Sequence, residues 1–370
     1  MIYLTTFKTA FLLFPLVAFI ITIPFILIEY HKFGSINKLR TLIIYSFILY
    51  LMTIYFLVIL PLPSREYVAS LTTSKYQLIP FKFLYDFIKE TPLVWNNPST
   101  YLRAIKDASF YTVVFNIFMT IPFGMYLRYY FECDYKKTLK YSFLLSLFFE
   151  LTQVTGLYFI YPRPYRLFDV DDLMMNTLGG LIGCFLMSKI KFLPTRSHID
   201  RETKEAAKTV SGLRRITLFF LDLLIYIVFL GLFSVIAFTL KIDKKIEKLG
   251  VVLIFILYYS LIPYFRNGKT FGSSFVHVRF TFPNNSFLRL LLKAFCEHFY
   301  IFYLPSDFLY IISQFLNYWQ LDILYKFIII FISILILLKI YMGNFFKLLK
   351  SHKMFYDKIS KVEFVSTIDE

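Results

Sequence analysis

Residues 148–183 read FFELTQVTGLYFIYPRPYRLFDVDDLMMNTLGGLIG. Glu150 and Gln153 lie inside a strongly apolar run, a short Pro/Arg turn follows, and Asp169, Asp172 and Asn176 then precede a glycine-rich apolar run. Hydrocarbon penalises each of these polar groups unless it finds a partner. Glu150 and Gln153 are three residues apart and share a helical face. Asp169, Asp172 and Asn176 recur at i, i+3 and i+7, which is again helical spacing. The stretch therefore predicts two neighbouring helices whose polar faces meet near one end, with Arg163 and Arg166 in the turn between them. Gly179 and Gly183 form a GxxxG face that lets a third helix approach closely.

The rest of the chain supports a membrane setting. Of 370 residues, 58% are hydrophobic and 21% aromatic, above the roughly 45–50% apolar content of soluble domains. Thr9–Ile28, Thr41–Ser64 and Ala108–Leu127 approach or exceed the ~20 residues that a spanning helix needs. The expected fold class is all-α: a polytopic integral membrane protein with about nine transmembrane helices. These are placed at 9–28, 41–60, 108–127, 141–161, 171–190, 216–240, 249–265, 294–316 and 323–342. Eight remain if 294–316 is re-entrant, because Phe287–Leu316 carries Arg289, Lys293, Glu297, His298 and Asp307.

The 40 Lys and Arg against 24 Asp and Glu give a net charge of +16. In a membrane protein this excess places basic loops on the cytoplasmic side, against anionic lipid. No nucleic-acid motif accompanies it, so no nucleic acid is expected as a partner. Loops 31–40, 128–140, 189–215 and 266–293 are the basic ones. The 64–107 loop and the 162–170 turn then face outside, and the polar cluster sits toward the external leaflet. Around Ile79–Ile88 the loop has the pattern of an amphipathic helix on the membrane surface.

The basic stretch after Lys189 is the clearest boundary. It divides an N-terminal helix (1–34) and a membrane domain (35–190) from a cytoplasmic linker (191–211) and a second membrane domain (212–366).

Two resemblances follow from the motifs. The pattern Glu150-Leu151-Thr152-Gln153, then Arg166, Asp169, Asp172, Asn176, Gly179 and Gly183, resembles the VanZ-like membrane family. Asn116 with Pro122-Phe123-Gly124, and the Leu78–Phe81 run LIPF, fit the same family. Residues 212–366 resemble the RDD family through Arg215 and Asp222 in RRITLFFLDLLIY, NGKTFG at 267–272, and YDKISKVEFV at 356–365. There the resemblance carries over Arg215, Asp222 and Asp357, and the last motif departs from the usual RDD pattern.

The oxygen-bearing set Glu150, Gln153, Asp169, Asp172 and Asn176 suits a hard cation, a polar ligand or acid/base work. It equally suits a structural polar core in which Arg163 or Arg166 pairs with the carboxylates. The two arginines also have the chemistry to clamp a phosphate or carboxylate headgroup. Asp222 needs a deeper partner, for which Arg289 and Lys293 are the candidates.

Cys133, Cys184 and Cys296 are far apart and show no metal-ligand spacing. No hydrolase, zinc or phosphate-loop motif is present. No catalytic residue, metal or cofactor is therefore assigned.

The VanZ-like resemblance implies a bacterial cell-envelope role, with some members linked to lower susceptibility to glycopeptide antibiotics such as teicoplanin. It implies as partners the lipid bilayer and a lipid-linked envelope precursor or lipoglycopeptide. Transport of an ion or small solute, and enzymatic action on a lipid-linked substrate, remain as alternatives.

Overall fold

The computed structural model describes residues 2–91, 94, 96–101, 104, 107–319 and 322–370. Eight helices among these are long and apolar enough to cross a membrane. The helix expected at 141–161 forms as Tyr135–Val154. It carries Lys136, Lys137, Lys140 and Glu150 and is not among the eight. The doubtful stretch near 294–316 is part of one long helical segment, Phe287–Tyr318, which is among them. The described residues are thus all-α but for two small two-stranded sheets.

The chain divides into two compact units, residues 1–21 with 38–199, and residues 22–37 with 200–370. The division falls inside the first helix rather than after it. Unit one contains the N-terminal part of α1 (Ile2–Phe33), then α2 (Lys38–Ile59), α3 (Arg65–Ser70), α4 (Lys82–Glu90), α5 (Ala108–Tyr129), α6 (Tyr135–Val154) and α7 (Val170–Lys189). Its sheet is a parallel pair, β1 (Tyr76–Gln77) with β2 (Phe168–Asp169).

The amphipathic pattern around Ile79–Ile88 resolves into α4, with Leu84, Tyr85 and Ile88 exposed. Such a face suits an apolar surround better than water.

The centre of unit one is α5, α6 and α7. Asn116 meets Asp172, Thr120 meets Asn176 and Gly124 meets Gly180. The numbers advance together, so α5 and α7 are parallel. Glu150 meets Asp169, Ser146 meets Asn176 and Ser142 meets Gly180. These run oppositely, so α6 is antiparallel to α7.

Close approach needs small residues on the facing surfaces. A Cβ at Gly179 would collide with the Ile117 carbonyl, one at Gly183 with the Ile121 carbonyl, and one at Gly124 with the Gly180 carbonyl. On α6, Thr138, Ser142 and Ser146 are buried at four-residue spacing, and a Cβ at Gly180 would strike the Ser142 hydroxyl. The helix that approaches Gly179 and Gly183 is α5.

Unit two holds the end of α1 and then, after α8 (Arg196–Ala207), the helices α9 (Gly212–Thr239), α10 (Lys244–Phe265) and α11 (Phe271–Phe275). It continues with α12 (Phe287–His298), α13 (Leu304–Tyr318), α14 (Ile323–Leu349) and α15 (Phe355–Ser360). Strands β3 (Val278–Thr281) and β4 (Glu363–Ser366) pair antiparallel, Val278 opposite Ser366 and Thr281 opposite Glu363. Tyr30, Leu218, Val276, Val278, Phe280, Leu290 and Val362 form its core cluster.

Candidate functional site in the N-terminal unit

The polar residues of unit one converge where the end of α2, the start of α5, the end of α6 and the start of α7 meet. Asp169 caps α7, its carboxylate accepting from the Asp171 N–H at 2.8 Å. It also accepts from Gln77 Nε2 at 3.3 Å, which ties β1 to the cap. Such a carboxylate complements the positive end of a helix dipole. Burial nevertheless pushes the Asp169 carboxyl above its ordinary range, with the Asp171 N–H opposing the rise.

Glu150 is 2% exposed, and its Oε2 accepts from the Asp169 backbone N–H at 2.9 Å. Asn116 Nδ2 donates to Asp172 Oδ1. Asn176 Nδ2 donates to Ser146 Oγ at 3.0 Å, and that hydroxyl donates onward to the Asp172 carbonyl at 3.3 Å. Gln153 Nε2 reaches the Val58 carbonyl at 3.3 Å.

The two arginines part company. Arg166 lines the site and holds the Leu60 carbonyl at 2.9 Å. Arg163 bonds the Thr73 carbonyl at 2.5 Å and is not part of the lining. Among the described residues neither forms an ion pair with the acidic cluster, so pairing with the carboxylates, one of the two readings of these arginines, gives way to backbone carbonyls. Tyr161 and Tyr165 likewise bond the Pro63 and Ile59 carbonyls, at 2.8 and 3.1 Å. Together these residues strap the 161–166 turn to the end of α2, whose last carbonyls have no helical donor of their own.

A cavity of about 450 Å³ results, within the size range of small-molecule sites. Glu150, Gln153, Arg166, Asp172, Asn116 and Asn176 supply most of its polar lining, Thr6, Tyr111 and Thr112 add hydroxyls, and Leu57, Val58, Phe115, Met119 and Phe149 form its apolar walls. Asp169 stands behind Glu150. Among the described residues no group of three or more His, Cys, Asp or Glu side chains is placed to hold a metal ion.

Residues 47–193 match the family model of VanZ/LLP1. The N-terminal part is VanZ-like. The match covers less than half of the chain; it takes in Glu150, Gln153, Arg166, Asp172, Asn116 and Asn176 and leaves out Thr6, which also lines the cavity. No curated protein and no solved structure matches the chain. The eight apolar helices and the VanZ-like segment together make this a multi-pass membrane protein.

Sequence reading missed three contributors to the VanZ-like site. Asn116 was seen only as a motif residue, although its spacing of six from Pro122 carries no pairing information. Ser146 is signalled by the i, i+4 stripe of small hydroxyls running to Glu150. Asp171 is an anchor: its carboxylate accepts from the Phe81 and Phe83 N–H groups at 2.6 and 2.9 Å, fixing the start of α4.

In unit two, Arg215 forms an ion pair with Asp357, donates to the His352 carbonyl at 3.2 Å and stacks 3.9 Å over the Phe364 ring. Asp222 is fully buried and, among the described residues, has no cationic partner. It accepts from Tyr258 OH, Thr270 Oγ1 and the Gly272 N–H, each at 2.7 Å. The expected partners are engaged elsewhere: Lys293 pairs with Glu297 at 2.6 Å, and Arg289 reaches the Ser360 carbonyl at 3.4 Å.

The NGKTFG motif thus has a local physical role, since it turns back at Gly268 (φ +80°) and presents Thr270 and Gly272 to Asp222. Arg214, adjacent to the expected Arg215, is the more deeply buried. It donates to the carbonyls of Val276, Ala207 and His277 at 2.6–2.7 Å.

Proposed function

We propose that the VanZ-like unit is a ligand-binding module opening at the outer face of the cell membrane, and that it lowers susceptibility to glycopeptide antibiotics of the teicoplanin type. The reading is carried by one observation: the cavity that gathers Glu150, Gln153, Arg166, Asp172 and Asn176 between apolar walls. Groups that cost free energy to bury are retained on a cavity surface rather than neutralised in pairs, the pattern of a recognition site. The outward orientation rests on charge. Arg128, Lys136, Lys137, Lys189 and Lys191 lie at the end of the α5–α7 bundle opposite Glu150 and Asp169, and basic ends stay cytoplasmic. We read the second unit as an RDD-like module in which Arg215 and Asp357 form the central pair.

In a glycopeptide-susceptible host, expression of the chain should raise the inhibitory concentration of teicoplanin. Glu150→Gln and Asp172→Asn should remove that gain while the protein stays in the membrane fraction at wild-type level. Retained protection in both variants would rule out the cavity as the site. Absence of protection from the wild-type chain would rule out the envelope reading itself.

Orientation has its own check. In a background lacking the three native cysteines, single cysteines in the 64–107 loop should react with an impermeant maleimide on intact cells, and cysteines near Lys204 should not. The reverse labelling would place the cavity on the cytoplasmic side.

A further inference from the structure

The cavity of the VanZ-like unit is short of positive charge. Glu150 and Asp172 line it and Asp169 lies directly behind, whereas among the described residues Arg166 is the sole cationic side chain in the lining. Part of the Arg166 fork is already committed to the Leu60 carbonyl. Each carboxylate uses one oxygen on the protein: Glu150 Oε2 on the Asp169 N–H, and Asp172 Oδ1 on the Asn116 amide. Among the described residues Glu150 Oε1 and Asp172 Oδ2 have no donor.

Asn176 supplies an independent observation. Its side chain is 3% exposed, it lines the cavity, and its Oδ1 is a buried acceptor without a partner. The orientation of this amide is fixed chemically. The Ser146 hydroxyl donates its proton to the Asp172 carbonyl, so it must accept from Asn176, which puts Nδ2 on Ser146 and leaves Oδ1 free. A buried acceptor left without a donor costs about 1–3 kcal/mol, and a ligand that donates to it recovers that cost.

We infer that the cavity selects a primary ammonium group carried on an apolar body. An –NH3+ head brings three donors and one positive charge, matching the undonated Glu150 and Asp172 oxygens, the buried Asn176 acceptor and the excess of carboxylate. The Tyr111, Phe115 and Phe149 rings in the lining suit a cation as well as an alkyl chain. A quaternary ammonium brings charge without donors, and a carboxylate or phosphate alone would meet like charge. The inference rests on the reading of the cavity as a ligand site and names the chemical class that site takes.

The test is calorimetric titration of the full chain in nonionic detergent micelles, with protein-free micelles subtracted. The probes are octylamine, octyltrimethylammonium, N-octylacetamide and octanoate. Octylamine should bind about tenfold or more tightly than each of the others, and Glu150→Gln and Asp172→Asn should each remove most of that preference. Both variants preserve side-chain shape, and an unchanged melting temperature confirms folding. If the amide or octanoate binds as tightly as the amine, and the same variants weaken it, the cavity is a ligand site but the ammonium assignment is wrong. If no probe binds, or binding ignores both variants, the ammonium assignment falls. The ligand-site reading is then judged separately, by the antibiotic susceptibility of the same variants.

Discussion

Replacing Gly183 with leucine is expected to deplete the membrane fraction of folded protein. The side chain would enter space held by the Ile121 carbonyl, with the Met125 nitrogen 3.0 Å from its Cβ. Both are backbone atoms of α5, so no rotamer change relieves the clash, and the two helices must separate. In a membrane, helix association depends on close packing and interhelical hydrogen bonds rather than on hydrophobic burial. Separation therefore removes the main attraction as well as introducing strain. It also breaks the Thr120–Asn176 and Asn116–Asp172 bonds that position the cavity. The destabilisation should reach about 3 kcal/mol or more, at or beyond the upper end for overpacking. Gly231→Leu is the matched control, because a Cβ there meets nothing within 4 Å. Size-exclusion profiles and thermal melting of the two detergent-solubilised variants would check this. A Gly183→Leu protein that elutes and melts like wild type would mean that the α5–α7 contact is looser than the geometry requires.

The second large effect is expected from Asp222→Ala in the C-terminal unit. Three donors, Tyr258 OH, Thr270 Oγ1 and the Gly272 N–H, would lose their shared acceptor inside the protein. Each stranded donor costs about 1–3 kcal/mol, and partial relaxation brings the sum to about 3–5 kcal/mol. Asp222→Asn keeps one acceptor oxygen and the side-chain shape, so it should cost less than half as much. The damage should begin at the NGKTFG turn, which Asp222 fastens to α9. Limited proteolysis is therefore expected to cut the Ala variant near Arg266 and Lys269 at a temperature where the wild type resists. A reference point is Lys82→Ala, which removes an i, i+4 pair with Asp86 near the surface and should change stability by less than about 1 kcal/mol. Equal melting temperatures for Asp222→Ala and Lys82→Ala would overturn the assignment of Asp222 as the fastening point.

The sequence by itself determined the class of the protein and the grouping of its polar residues. Long apolar runs are a local property, and no tertiary contact is needed to see that they suit hydrocarbon. Helical periodicity placed Glu150 beside Gln153, and Asp169 beside Asp172 and Asn176. Gly179 and Gly183 announced a close helix contact because no other residue leaves room for a neighbouring backbone. Lys136, Lys137, Lys140 and Glu150 make Tyr135–Val154, expected as a span at 141–161, the least apolar of the three central helices, which is why it is not among the eight.

Only the tertiary structure decided which partner each polar group found. Glu150 meets the Asp169 N–H across 19 residues, Asn116 meets Asp172 across 56, and Arg215 meets Asp357 across 142. Arg163 and Asp222 show the consequence. A carboxylate was one of two readings for Arg163 and a cation was sought for Asp222, yet both meet neutral groups, a backbone carbonyl for one and two hydroxyls and an amide for the other. Periodicity fixes the face on which a side chain lies. It carries no information about which distant backbone will supply a donor or acceptor to that face, because that depends on how closely helices far apart in the chain come together.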